Sequence, residues 1–304
     1  MIKLKYLDKS KLAEIQSGMY NRALDPDVAL YNLEFDEDKD PTFLETSLYL
    51  YQNEDGGFAH ALDFDNVSPI STVYQTYTAF KLFKDAHVIN INNDEISQEI
   101  LGKAFKYLSK KMKYSLKEKS NDKYACAIRF KGEDDNELLF GILGYTILFL
   151  DKDNKYYQRA IEEAKKNLNL LLNSNAYDYL SLEQFKIFLQ AILLKGEFSD
   201  SYDELLAKFN VLEKEFLNNS NVLTDYFEIL SLLEDLELDS VEQKYQDDAL
   251  DALIDARKPH GMWENTHKWG NEDKYPEAMS SELKWIGRAT QRAVHYIVKY
   301  NRIK

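Results

Sequence analysis

Three stretches of this chain hold residue types that can move protons or hold charge. His60, Asp63 and Asp65 lie in the run HALDFDN, and an imidazole beside carboxylates is a general acid–base set. Glu264 and His267 lie in WENTHKW, framed by Trp263 and Trp269. There the indole rings suit stacking on a sugar face, with Glu264 or His267 transferring the proton. Each cluster also has a plainer reading. Asp63, Asp65 and Asn66 are ordinary turn formers, and the two tryptophans could anchor a loop.

The third stretch is basic. Lys284, Arg288, Arg292, His295, Lys299 and Arg302 recur at steps of three and four, opposite Ile286, Ala289, Ala293, Ile297 and Tyr300. Such a stripe is solvated, paired with acidic neighbours, or an anion-binding wall in which Arg288 and Arg292 are the ligand-binding candidates. Arg129 and Lys131 join it if the fold brings them there. Metal chemistry has little support. His260 and His267 lack a third ligand, and Cys126 is the sole cysteine, which excludes an intrachain disulfide and a thiolate-rich zinc site. No metal or other cofactor is implied.

The elements that must position these side chains are almost all helices. The 304 residues include 5 prolines and 11 glycines, and β-type alternation is rare. A polar helix is expected over residues 10–24, followed by an acidic connection from Leu30 to Pro41. The first candidate loop is flanked by a helix ending at Gln52 and another starting at Ser68-Pro69 and reaching Lys84. Beyond it the segments alternate in character. Residues 93–113, 155–172, 202–216 and 240–256 read as amphipathic, whereas 136–150, 180–194 and 223–236 are apolar on most faces. A final helix spans 280–303. A helix that is apolar all round is surrounded by protein, so the alternation predicts buried inner helices within a half-exposed outer layer. The period of about 40–50 residues is that of helical hairpins, which an open solenoid would share.

One turn carries more information. Gln52, Gly56 and Phe58 fit Q-x-x-x-G-x-[F/W], and Ser71-Thr72 and Gln75-Thr76 come after them. This stretch, 44–84, resembles the repeat of the terpene cyclase and protein prenyltransferase α/α toroids. A partial copy runs from Arg257 to Trp263, where Gly261 and Trp263 keep the offsets and Arg257 replaces the glutamine. The resemblance implies an all-α chain, with residues 1–304 forming a single α/α-toroid domain of inner and outer helix rings. The residues behind that superfamily's reactions are missing. DFDN departs from the DxDD acid motif, no DDxxD motif is present, and Cys126 lacks the nearby aspartate of the prenyltransferase zinc site.

Composition narrows the function. A net charge of −14 argues against general nucleic-acid or anionic-membrane binding. No apolar run suits a membrane span or a signal peptide, so a cytoplasmic location is expected. Oligomeric state is left open. The favoured reading is an enzyme whose central cavity performs acid–base chemistry on a carbohydrate-like or anionic ligand. The alternatives are a terpenoid cyclase- or prenyltransferase-like protein acting on or binding an isoprenoid, and a non-catalytic interaction module.

Overall fold

The computed structural model describes residues 4–88, 94–264 and 268–304. Twelve α-helices and no β-strand occur among them, so the expected all-α class holds. None of these helices is long and apolar enough to cross a membrane.

The helices are α1 (Leu12–Arg22), α2 (Asp25–Leu33), α3 (Thr42–Leu48), α4 (Val73–Asp85), α5 (Glu95–Leu108) and α6 (Leu139–Phe149). They continue as α7 (Lys155–Leu172), α8 (Tyr179–Lys195), α9 (Ser199–Asn219), α10 (Tyr226–Leu233), α11 (Ser240–Asp255) and α12 (Glu277–Lys299). Several boundaries differ from expectation: α5 stops at Leu108 instead of 113, α10 is shorter than 223–236, α12 runs from Glu277 to Lys299 instead of over 280–303, and two further differences have a clear cause. No helix is expected where α2 forms, and it runs into the segment read as an acidic connection from Leu30. Pro26 opens it, because a proline in the first helical turn forfeits no intrahelical hydrogen bond. Ser68-Pro69 does not start α4. Thr72 does, its side chain accepting from the Gln75 N–H, so the intervening residues stay in the loop. Of the segment expected over 93–113, Asn93 lies outside the described residues.

Burial tracks the alternation read from the pattern. Every residue of α6 is buried, whereas α7 buries Tyr157, Ala160, Ile161, Ala164 and Leu171 and exposes its other side. Each large apolar side chain taken from water contributes about 1.5–3 kcal/mol, which makes α6 an anchor for its neighbours. The even-numbered helices pack on one another in turn: α2 on α4, α4 on α6, α6 on α8, α8 on α10, and α10 on α12. Helix α12 also packs on α2 and α1. The chain ends meet as well. The Leu7 N–H donates to the Arg302 carbonyl at 2.8 Å, and the Lys304 N–H donates to Leu7 at 2.9 Å.

Candidate functional site

The loop between α3 and α4 begins at a turn built on Gly56, whose φ is 93°. The Gln52 side-chain amide donates to the Gly56 carbonyl at 3.0 Å and to the Ile100 carbonyl at 2.8 Å, bracing the turn against α5. The Phe58 N–H donates to Thr76 Oγ1 at 3.2 Å, tying the turn to α4. His60 and Ala61 then both adopt a φ of 60°, a left-handed conformation that costs a non-glycine residue about 1–2 kcal/mol. Hydrogen bonds hold them there: His60 N–H to the Ser68 carbonyl (3.1 Å) and Leu62 N–H to Gln75 Oε1 (2.9 Å). The chain is thereby turned inward, and Asp63, Phe64 and Asp65 are all buried.

Asp63 opens onto a cavity between α4, α8, α10 and α12. The cavity has two compartments of about 150 Å³ and 270 Å³, which share Asp63, Tyr74, Lys81, Glu183, Trp285 and Arg292 as walls. Lys81 is ion-paired with Glu183, which also accepts from Tyr77 (2.9 Å) and Tyr179 (2.6 Å). Burial pushes the Glu183 carboxyl up, but Lys81 and the two hydroxyls outweigh it and hold it below the usual range. Asp63 has weaker support. Its Oδ1 accepts from the Asp65 N–H at 3.0 Å, and Arg129 stands 3.9 Å away. Burial and then the Asp65 charge raise it to about 6.

Asp65 is the opposite case. Its carboxylate meets Arg129 at 2.6 Å and accepts from Trp285 (2.7 Å), Trp269 (2.8 Å) and Ser281 (2.6 Å). Burial opposes the charge here too, yet the guanidinium and these donors keep Asp65 below the usual carboxylate range. Two carboxyls two residues apart thus have different characters: Asp65 is a fixed anion, and Asp63 can take up a proton near neutrality.

Of the basic stripe, Arg288, Arg292 and His295 on α12 face the interior, whereas Lys299 is exposed and Arg302 lies beyond the end of the helix. Arg288 is buried against Asp27 at 2.6 Å and over the Phe64 ring. His295 is clasped between Glu34 and Glu234, 2.7 Å from each, and their hydrogen bonds overcome burial to push it up to about 10. Arg302 pairs with Asp247 and Asp251. Arg292 differs. It donates to the Phe227 carbonyl at 3.3 Å and lies 4.8 Å over the Phe227 ring. Among the described residues no carboxylate comes within 4.0 Å of it, although Glu228 attracts it from farther off.

Of the candidates from sequence, the structure brings Asp63, Arg288 and Arg292 to the cavity wall, with Asp65 just behind it. Arg129 reaches the same wall. The other candidates do not meet there. His60 is exposed and bonded to Asn53 (2.8 Å), and Glu264 is exposed beside His260 (3.2 Å) and Lys258 (3.4 Å). Trp263 is fully buried in the core and donates to the Leu253 carbonyl at 2.7 Å, and Trp269 donates to Asp65, so neither indole is laid open for stacking. His267 lies outside the described residues. Sequence reasoning missed Tyr74, Lys81, Glu183, Lys186 and Trp285. Glu183 and Lys186 had a usable signal: two charges at helical spacing in a segment otherwise apolar on most faces. No group of residues suited to hold a metal ion occurs among the described residues.

Comparison with known protein families, with curated proteins and with solved structures returned no match.

Proposed function

We propose that the chain is an α/α toroid enclosing an active site for a small, polar, anionic substrate, with Asp63 as the proton-transferring group. The toroid is supported by the packing order of the even-numbered helices, by the return of α12 to α2, and by the resemblance of residues 44–84 to the toroid repeat. The observation that carries the chemistry is Asp63, a buried carboxyl raised to about 6 on the wall of a charged cavity. A group near this value exists in both protonation states around neutral pH, as general acid–base catalysis requires. Arg292 supplies a planar cation for a substrate carboxylate, and Tyr74 and Trp285 supply ring faces for a sugar. An isoprenoid would leave Arg292, which has no carboxylate within 4.0 Å among the described residues, facing hydrocarbon at a cost of desolvation.

The first test is thermal melting with glucuronate and with glucose. Glucuronate is expected to raise the melting temperature and glucose to leave it unchanged, and Arg292→Gln should remove the difference. Equal effects of the two sugars would overturn the anionic reading.

Asp63→Asn provides the second test. The folded carboxyl keeps its proton up to about pH 6, whereas the unfolded one releases it near 3.8, so this group opposes folding increasingly as pH rises between those values. Above pH 6 the penalty is on the order of 3 kcal/mol at most. Asp63→Asn should therefore match or exceed the parent in neutral-pH denaturation, while turnover of a small uronate glycoside falls by about 10²–10⁴-fold. A variant with unchanged turnover would remove Asp63 from the mechanism.

A further inference from the structure

Lys186 is the cavity cation that the proposed acid–base reaction does not use. It projects from α8, is buried, and lines the compartment of about 150 Å³. The other basic groups of that compartment are neutralised by contact or open to solvent: Lys81 is paired with Glu183, Arg288 with Asp27, His295 with Glu34 and Glu234, and Lys84 is half-exposed. Arg292 is the exception already assigned to an anion. Lys186 has no carboxylate within 4.0 Å among the described residues, and its Nζ donates to a neutral acceptor, the Ser231 carbonyl, at 2.7 Å. Around it stand Lys84 on α4, Glu213 on α9, Glu234 and Asp235 at the end of α10, and Lys299 on α12. Both carboxylates at the end of α10 are already bonded to α12 cations. The wall of the compartment includes the half-exposed Lys84 and Gln190 and the exposed Asp85.

We infer that Lys186 is a covalent capture site for a small carbonyl compound, forming an imine within the cavity. The step needs no co-reactant. The amine lone pair attacks the carbonyl carbon, the C=O π pair moves to oxygen, and a proton passes from nitrogen to oxygen to give the carbinolamine. Loss of that oxygen as water then forms the C=N bond. Burial and then the Lys84 charge lower Lys186 to about 8, so its unprotonated fraction at neutral pH is roughly 300-fold that of a lysine at 10.5. An acyclic sugar acid would carry both a carbonyl for Lys186 and a carboxylate for Arg292, which deepens the proposed function. The capture itself requires only the cavity.

The test is borohydride reduction of the full chain incubated with glyoxylate or with glycolaldehyde, and then peptide mass spectrometry. Reduction converts the imine to a stable secondary amine. Labelling at Lys186 should exceed that at Lys166, an exposed lysine, by at least tenfold, and Lys186→Arg should lose it while melting at the parent temperature. Preference for glyoxylate would join this inference to the anionic reading. Equal labelling by both probes would support capture and overturn that reading. Labelling of Lys186 no greater than that of Lys166 in the parent chain would overturn the capture site, whatever the variant does, and leave Lys186 as a brace between α8 and α10.

Discussion

The turn at 52–58 and the turn at 257–263 solve one backbone problem with different side chains. Gly56 and Gly261 have φ values of 93° and 90°. Asn53 and Lys258 donate their N–H groups to Gly57 and Met262, at 2.9 Å in both turns. Phe58 and Trp263 are both fully buried, and their N–H groups donate to Thr76 and Thr290 on the next long helix, at 3.2 Å and 3.1 Å. Where the first turn has the Gln52 amide on the Gly56 carbonyl, the second has Arg257 Nε on the Gly261 carbonyl, also at 3.0 Å. The replacement preserves the geometry because both residues carry an N–H donor at the same reach. Arg257 adds an ion pair with Glu14 at 2.8 Å, which ties the end of the chain to α1. The two turns differ in the segments they lead into. The first opens onto the left-handed pair His60-Ala61 and delivers Asp63 to the cavity. The second precedes the segment that brings Trp269 onto Asp65. One bracing device thus serves an acid in one place and the clamp on its neighbour in the other.

Substitution of the glycines should separate the two turns most. A Cβ on Gly56 would lie 2.3 Å from the Lys103 carbonyl oxygen, which is backbone, whereas on Gly261 it would meet the end of the flexible Glu14 side chain at 2.8 Å. Gly56→Ala should therefore cost about 3–5 kcal/mol, from conformational strain and overpacking together. Gly261→Ala should cost about 1–2 kcal/mol, from strain alone. Urea midpoints measure both, and equal losses would mean the second turn is held as rigidly as the first. Next come Thr76→Val and Thr290→Val, each leaving a buried N–H without its acceptor, at about 1–3 kcal/mol apiece. A loss at only one threonine would break the equivalence of the turns. The smallest effect belongs to Arg257→Gln, which restores the residue of the first turn and removes only the exposed pair with Glu14. The expected change is within about 1 kcal/mol, and a larger loss would show that the ion pair, rather than the donor to Gly261, holds that turn.

Much of this was legible in the sequence, and the reason is range. Helix type is set by the period of apolar residues, so α6 through α9 lie close to where the pattern puts them. The two turns were legible because glycine, an aromatic and an amide or guanidinium within seven residues form a local device. Asp63 and Arg292 were legible as candidates, since acid in a turn and a basic helix stripe are visible by type and spacing. The sequence could not distinguish Asp63 from Asp65, or Arg292 from Arg288. Those distinctions depend on Arg129, Trp269, Ser281 and Trp285 converging on one carboxylate, and on Asp27 lying opposite one guanidinium. Trp263 and Trp269 look alike in WENTHKW, yet one fills the core and the other caps an anion. Periodicity is a property of neighbours along the chain, and it determined the helices and the bracing turns. The charge state and facing of a buried group are set by what the fold packs around it, for Asp65 by Arg129, 64 positions away, and by Trp269, Ser281 and Trp285, more than two hundred away, and only the tertiary structure decided those.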